Sequence, residues 1–392
     1  MRRIGMSLLH ALLVAAAMFA SGSALATSCA WPDWDHFKQN TMSADGRVID
    51  ASTPEQVTVS EGQAYALFFA LVANDRPTFD RLLNWTQNNL AQGDLTKHLP
   101  AWQWGRHSAK EGDQSSAPTW GVLDSNPASD ADIWIAYTLL EAGRVWRERS
   151  YTALGTVLAR TIVAQETAVL PGLGRTVLPG PVGFHPKDDV WRLNPSYVPL
   201  QVMQHMAGAL PEQPEWKAML DSSAKLVTDT APHGFSPDWV LYQRDKGFGP
   251  DTATKAESAY NAIRVYLWAG MLAADAPGRQ AALDAFKPLA DYVAAHGAPP
   301  ERVDTQTGAV VGNNDGNAGF SAAVAPYLAA LGRNDLALAQ VQRARSLAAQ
   351  SPLGYYSQVL ALFGLGYVDG LYRFDADGAV VPAWMSTCPA AH

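Results

Sequence analysis

Along most of the chain apolar residues recur every three or four positions, the spacing that lines one face of an α-helix. Ala64 to Ala73, Phe79 to Leu90, Asp132 to Arg147, Ala259 to Ala273, Ala281 to Ala295, Asp335 to Ala348 and Tyr356 to Leu365 all carry it. About a dozen such segments can be traced. Several, such as AYALFFALVA at 64–73, are apolar around most of their circumference and predict helices buried on more than one side. One region departs from this spacing. VLPGLGRTVLPGPVGF, from Val169 to Phe184, sets β-branched residues between Pro-Gly and Gly breaks and predicts a hairpin. The pattern therefore predicts an all-α fold with a small β-hairpin excursion. Its long connections, LPAWQWG and GFSPDW among them, are rich in Trp, Pro and Gly and are the places to look for a binding site.

The N-terminus stands apart. Arg2 and Arg3 precede an apolar run from Met6 to Ala20, followed by small residues through Ala26. This reads as a secretory signal peptide over residues 1–26, with cleavage after Ala26. No later segment has about twenty apolar residues without a charge or proline, so no membrane span is expected. Residues 27–392 contain no linker or low-complexity stretch and are expected to form one domain. We expect an exported monomer, periplasmic or secreted.

A composition of 48% hydrophobic and 17% charged residues suits a large core. The formal charge is -8, and loss of the two signal-peptide arginines takes it to 27 - 37 = -10. A surface of that sign repels phosphate backbones and anionic lipid, and no basic stripe is present, so a nucleic-acid partner is excluded. The two cysteines, Cys29 and Cys388, lie close to the ends of the mature chain. In an oxidising compartment they can pair, which would bring the termini together; two free thiols is the alternative.

The chain has no HExxH, CxxC, phosphate loop or GxSxG elbow, so metal, redox, phosphoryl-transfer and serine-hydrolase chemistry lack a motif. No cofactor is expected. Residues 313–316 and 375–378 look like pieces of calcium loops but lack the closing glutamate and read as turns. Carboxylates remain. In TVSEGQAY, Ser60 and Gln63 have capping-box spacing, which puts Glu61 in a first helical turn. In NPASDADIW, Ser129 can cap a helix whose first turn holds Asp130 and Asp132. Acidic residues there are commonly no more than a favourable charge at the helix dipole, so position alone does not make them catalytic.

AlaSerAspAlaAsp at 128–132, followed by IWIAYTLLEAGRVW, resembles the characteristic helix of glycoside hydrolase family 8, and SEGQAY at 60–65 matches the acid-bearing segment of that family. The resemblance continues through CAWPDWDHFK, LPAWQWG, LDSN, RLNPSY, GFSPDW, GFSAA and YYSQVLALFG. Within the family the chain is most similar to the endoglucanases of bacterial cellulose-synthesis operons, including a cysteine near each end. The resemblance implies an (α/α)6 toroid with a sugar cleft across one face. It also implies inverting hydrolysis of β-1,4-glucan, with Glu61 as proton donor and Asp130 as the second carboxylate. Inversion needs a protonated carboxyl on the leaving oxygen and a base that activates water from the opposite side. A helix start favours the anion, so burial or a neighbouring negative charge must raise the Glu61 pKa if it is to donate.

One departure stands out. Where relatives carry aspartate as general base, this chain has Asn261 in TyrAsnAlaIleArg, and an amide can orient water without taking its proton. A variant lineage with another base, a deliberate or sequencing-level Asp-to-Asn change, and a degenerate enzyme that binds glucan but cuts slowly are the three explanations. Asp130 and then Glu257, one helical turn before Asn261, are the first substitutes. Arg264 is expected to hold the neighbouring carboxylates. Sugar faces pack on aromatic rings, and Trp102, Trp104, Tyr197 and Tyr355 are the candidate platforms, with Trp134 and Trp268 assigned to the core. Chitosan or xylan are alternative substrates, a non-catalytic glucan-binding role is the alternative function, and a cellulose synthase complex is the candidate partner.

Overall fold

A computed structural model describes residues 29–107, 119–386 and 388. The signal-peptide segment lies outside the described residues. Thirteen α-helices occur among the described residues, and six of them form a closed inner ring. These are α2 (Ser60–Val72), α4 (Ser129–Val145), α6 (Leu200–Ala209), α8 (Ala262–Gly270), α11 (Ala318–Ala330) and α13 (Tyr355–Val368). Each contacts the next, and α13 returns to α2. The outer layer is α1 (Pro32–Thr41), α3 (Arg76–Asn89), α5 (Arg149–Gln165), α7 (Glu215–Thr228), the pair α9 (Arg279–Ala285) and α10 (Lys287–His296), and α12 (Asn334–Gln350). This is an (α/α)6 toroid.

Hydrophobic patterning sets the layer of each helix. α2, α11 and α13 are apolar on nearly all sides and are buried almost throughout, whereas α3, α7 and α12 bury one stripe. The core runs through the ring, with Phe68, Phe69, Trp134, Trp268 and Phe363 at its centre; Phe69 and Phe363 ring centroids are 4.6 Å apart. Each such ring contributes about 1.5–3 kcal/mol by leaving water. Glycine permits the closest helix approaches: a Cβ on Gly364 would lie 2.0 Å from the Ala322 carbonyl oxygen, and one on Gly270 would lie 2.2 Å from the Tyr327 nitrogen.

The structure differs from the sequence expectations in several places. The span 281–295 is two helices, because Pro288, without an N–H, restarts the helix after Phe286. The hairpin is present as Thr167–Leu170 paired with Gly174–Val177, but it is not the only one. LPAWQWG forms strand Ala101–Arg106, which pairs with Trp120–Pro127 on one side and Thr58–Val59 on the other. RLNPSY begins in strand Val190–Leu193, paired with Val240–Gln243. Their alternation is broken by Trp and Gly, which hid them from a periodicity reading.

Neither the capping box at Ser60 and Gln63 nor the cap at Ser129 forms. Val59 and Ala128 are the N-caps, and the hydroxyls of Ser60 and Ser129 are buried without partners. Gln63 instead reaches sideways, accepting from Val48 N at 2.6 Å and donating to Gly46 O at 3.1 Å. Residues 375–378 are a turn, in which the Asp375 carboxylate accepts from Asp377 N and Ala379 N. Cys29 and Cys388 are joined, closing a loop with a sequence separation of 359.

Candidate active site

The N-termini of the inner helices converge at one end of the ring and deliver the candidate residues. Glu61 is in the first turn of α2, Asp130 in that of α4, Tyr355 opens α13, and Asn261 immediately precedes α8, whose first turn carries Arg264. Strand Thr58–Val59 runs directly into α2, so the Trp-bearing hairpin is fastened beside Glu61.

Arg264 is the hub, only 2% exposed. Its Nη1 donates to Glu61 Oε2, to Asp130 Oδ2 at 3.0 Å and to Tyr65 Oη at 2.9 Å. Its Nη2 donates to Asn261 Oδ1 at 2.9 Å and to Ser196 Oγ at 3.0 Å. Ser196 Oγ passes a hydrogen bond to Asn194 Oδ1 at 2.7 Å, and Asn194 Nδ2 returns one to Asn261 Oδ1 at 3.2 Å. Both lone pairs of the Asn261 carbonyl are thereby used, and the amide orientation is fixed with its Nδ2 on the other side.

Glu61 faces a cavity of about 410 Å³ shared with Asp50, Tyr260, Asn261, Tyr355 and Tyr356. Tyr355 Oη lies 3.4 Å from Glu61 Oε1 and is held over Gly62, where a Cβ would come within 2.8 Å of that hydroxyl. Asp130 sits behind Arg264, with its other oxygen accepting from Ala131 N at 2.8 Å. A larger hollow of about 600 Å³ beside α12 and α13 shares no lining residue with this cavity.

Burial raises the Glu61 pKa; Arg264 opposes the shift and the Asp130 charge adds to it. Burial likewise raises Asp130, against Arg264. Two anions on one guanidinium leave a net negative charge in a poorly solvated place, and one proton on the pair neutralises it. Beneath Asp130, Asp132 and Glu166 are fully buried carboxyl groups facing one another, with no other hydrogen-bond partner among the described residues. Burial holds both far above the usual carboxylate range, so a shared proton makes their contact attractive.

The structure thus brings Glu61, Asp130, Asn261, Arg264 and Tyr355 together. Tyr197 is adjacent, its ring 5.6 Å from the Arg264 guanidinium carbon. Trp102 and Trp104 lie apart on the hairpin; Trp102 is 36% exposed, whereas Trp104 stacks on Trp120 at 5.5 Å with the Arg47 guanidinium 4.5 Å from its ring. Trp134 and Trp268 are in the core. Glu257 is not one helical turn before Asn261. It lies in strand Glu257–Ser258, because α8 starts only at Ala262.

Sequence reasoning missed Tyr65, Asn194, Ser196, Tyr356, Asp238 and Trp239. RLNPSY and GFSPDW hold four of them, Asn194, Ser196, Asp238 and Trp239, as motif residues without a role. Trp239 is stacked on Phe184 with ring centroids 5.8 Å apart, and the Arg192 guanidinium carbon lies over its ring at 4.0 Å.

A closed ring of helices with buried acid groups gathered at one end by an arginine is the architecture of a glycoside-cleaving enzyme. The chain belongs to glycosyl hydrolases family 8, whose sequence pattern matches residues 6–370. It is 43% identical to an endoglucanase of Escherichia coli strain K12 over 389 residues, covering 99% of this chain and 100% of that one. It is 46% identical to an endoglucanase of Xanthomonas axonopodis pv. citri over 381 residues, with 96% of each chain covered. The crystal structure of an endo-1,4-D-glucanase from Vibrio fischeri matches with a TM-score of 0.84 at 44% identity, covering 91% of this chain and all of that one.

Proposed function

We propose that the protein is an endo-β-1,4-glucanase that cleaves with inversion, using Glu61 as the proton donor. The observation that carries this reading is the meeting of Glu61 and Asp130 on a single nitrogen of Arg264, at the wall of an open cavity. Burial and the Asp130 charge raise the Glu61 pKa, the direction a donor to the leaving oxygen needs. Asp130, with Arg264, supplies negative charge near the sugar that becomes cationic. Tyr197 and Tyr355 offer ring faces for glucose units, and the Trp102 hairpin extends the binding surface. The endoglucanase names of relatives that match almost end to end support a glucan backbone.

Reducing-end release from carboxymethylcellulose by the wild type, lost in Glu61→Gln, tests this; chitosan and xylan at equal concentration run in parallel. Faster cleavage of either alternative polymer would reassign the substrate. Asn261 favours a second reading, a glucan-binding protein with little turnover, which predicts calorimetric binding of cellohexaose and no products. Motif-level resemblance to endoglucanases of cellulose-synthesis operons supports a periplasmic task on newly made cellulose, beside a synthase complex. Loss of the protein should then change cellulose chain length or yield in the producing cell.

A further inference from the structure

We propose that Asp238 is the carboxylate that takes the proton of the attacking water, with Asn261 holding that water; this rests on the glucanase reading above. The hydrogen bonds fix the polarity of Asn261. Asn194 must direct Nδ2 outward because its Oδ1 accepts from Ser196 N at 3.0 Å and from Ser196 Oγ at 2.7 Å. Asn261 Oδ1 therefore receives Asn194 and Arg264 together and has no lone pair left for a proton. What Asn261 can offer a water is an N–H, the opposite of what a base supplies.

The acidic group that bonds to the Asn261 backbone is Asp238. Its Oδ1 accepts from Ala259 N at 2.9 Å, Asn261 N at 3.1 Å and Ala262 N at 2.8 Å, and its side chain also meets the Asn261 amide. The segment is rigid: Asp238 N donates to Glu257 O at 2.8 Å, and Ser236 N donates to Tyr266 Oη at 2.9 Å. Oδ2 accepts none of the three backbone N–H groups and is the oxygen to which we assign the water proton. Burial outweighs the backbone N–H groups and raises the Asp238 pKa, which suits an acceptor. In the step, the water oxygen bonds to the anomeric carbon as the glycosidic C–O bond breaks. The leaving oxygen takes the Glu61 proton, and one water proton passes to Asp238.

The test follows cellohexaose hydrolysis by wild type, Asp238→Asn, Asn261→Asp and the double variant, with thermal unfolding and cellohexaose affinity recorded for each. Asp238→Ser keeps an acceptor for the helix start and replaces the amide variant if that one unfolds. A base contributes roughly 100- to 10,000-fold, so kcat of the Asp238 variant should drop by at least about 100-fold with affinity little changed. A carboxylate restored at the neighbouring position in the double variant should recover most of it. A folded Asp238 variant within tenfold of wild type, or a double variant as slow as the single, overturns the assignment while leaving the glucanase reading intact. A wild type without turnover on any β-glucan removes both.

Discussion

Arg264 donates to Glu61 and Asp130 through the same nitrogen, Nη1. With Asp130 as anion and Glu61 protonated, the trio is neutral, which is the charge state a buried site favours and the one an acid catalyst needs. Removing the cation leaves Asp130 buried and unpaired. Arg264→Gln should therefore lower unfolding free energy by about 3–5 kcal/mol in urea titration, as well as abolishing turnover.

The same trio sets a pH limb. As the proposed donor Glu61 acts only while protonated, so activity should fall as pH rises through its pKa, and the upward shift should carry activity to higher pH. The Asp130 charge is one of the two causes that raise it. In Asp130→Asn that cause is gone, the Glu61 pKa drops, and the alkaline limb of kcat/KM should move to lower pH. A limb that stays in place or moves up would show that another group is the donor.

Gly62 lies under the Tyr355 hydroxyl, which in turn meets Glu61. A methyl group there must push the phenol away. Gly62→Ala should lower kcat by about 10- to 100-fold, the scale of a misplacement of about 1 Å, with an unchanged circular dichroism spectrum.

Gly364 is a packing site remote from the carboxylates, where α13 touches the α11 backbone. Gly364→Ala forces the inner helices apart and should cost about 1–3 kcal/mol by thermal unfolding. Its activity at low temperature should change little.

Much of this was legible in the sequence, for physical reasons. Helices such as α2 announce themselves because burial on all sides requires an unbroken apolar run, and Glu61 and Asp130 stand out because acids at the starts of such runs end up together at one end of a toroid. Asn261 was visible as a departure from the family pattern. What the sequence concealed depends on contacts between distant segments. Ser60 and Gln63 have capping-box spacing, yet Gln63 bonds to residues 46 and 48 instead. Glu257 appeared to share a helix with Asn261, but Asp238, from another loop, takes up the N–H groups where α8 begins. Asp132 and Glu166 lie 34 positions apart (166 - 132) and become partners only when α4 packs on α5.

On the proposed mechanism cleavage is a single displacement at the anomeric carbon, with Glu61 protonating the departing oxygen. Proton NMR of cellohexaose during the first minutes of hydrolysis by the wild type reads it directly. New reducing ends should appear first as the α-anomer and later equilibrate, and Glu61→Gln should give none. First appearance of the β-anomer, or undiminished product from Glu61→Gln, would contradict it.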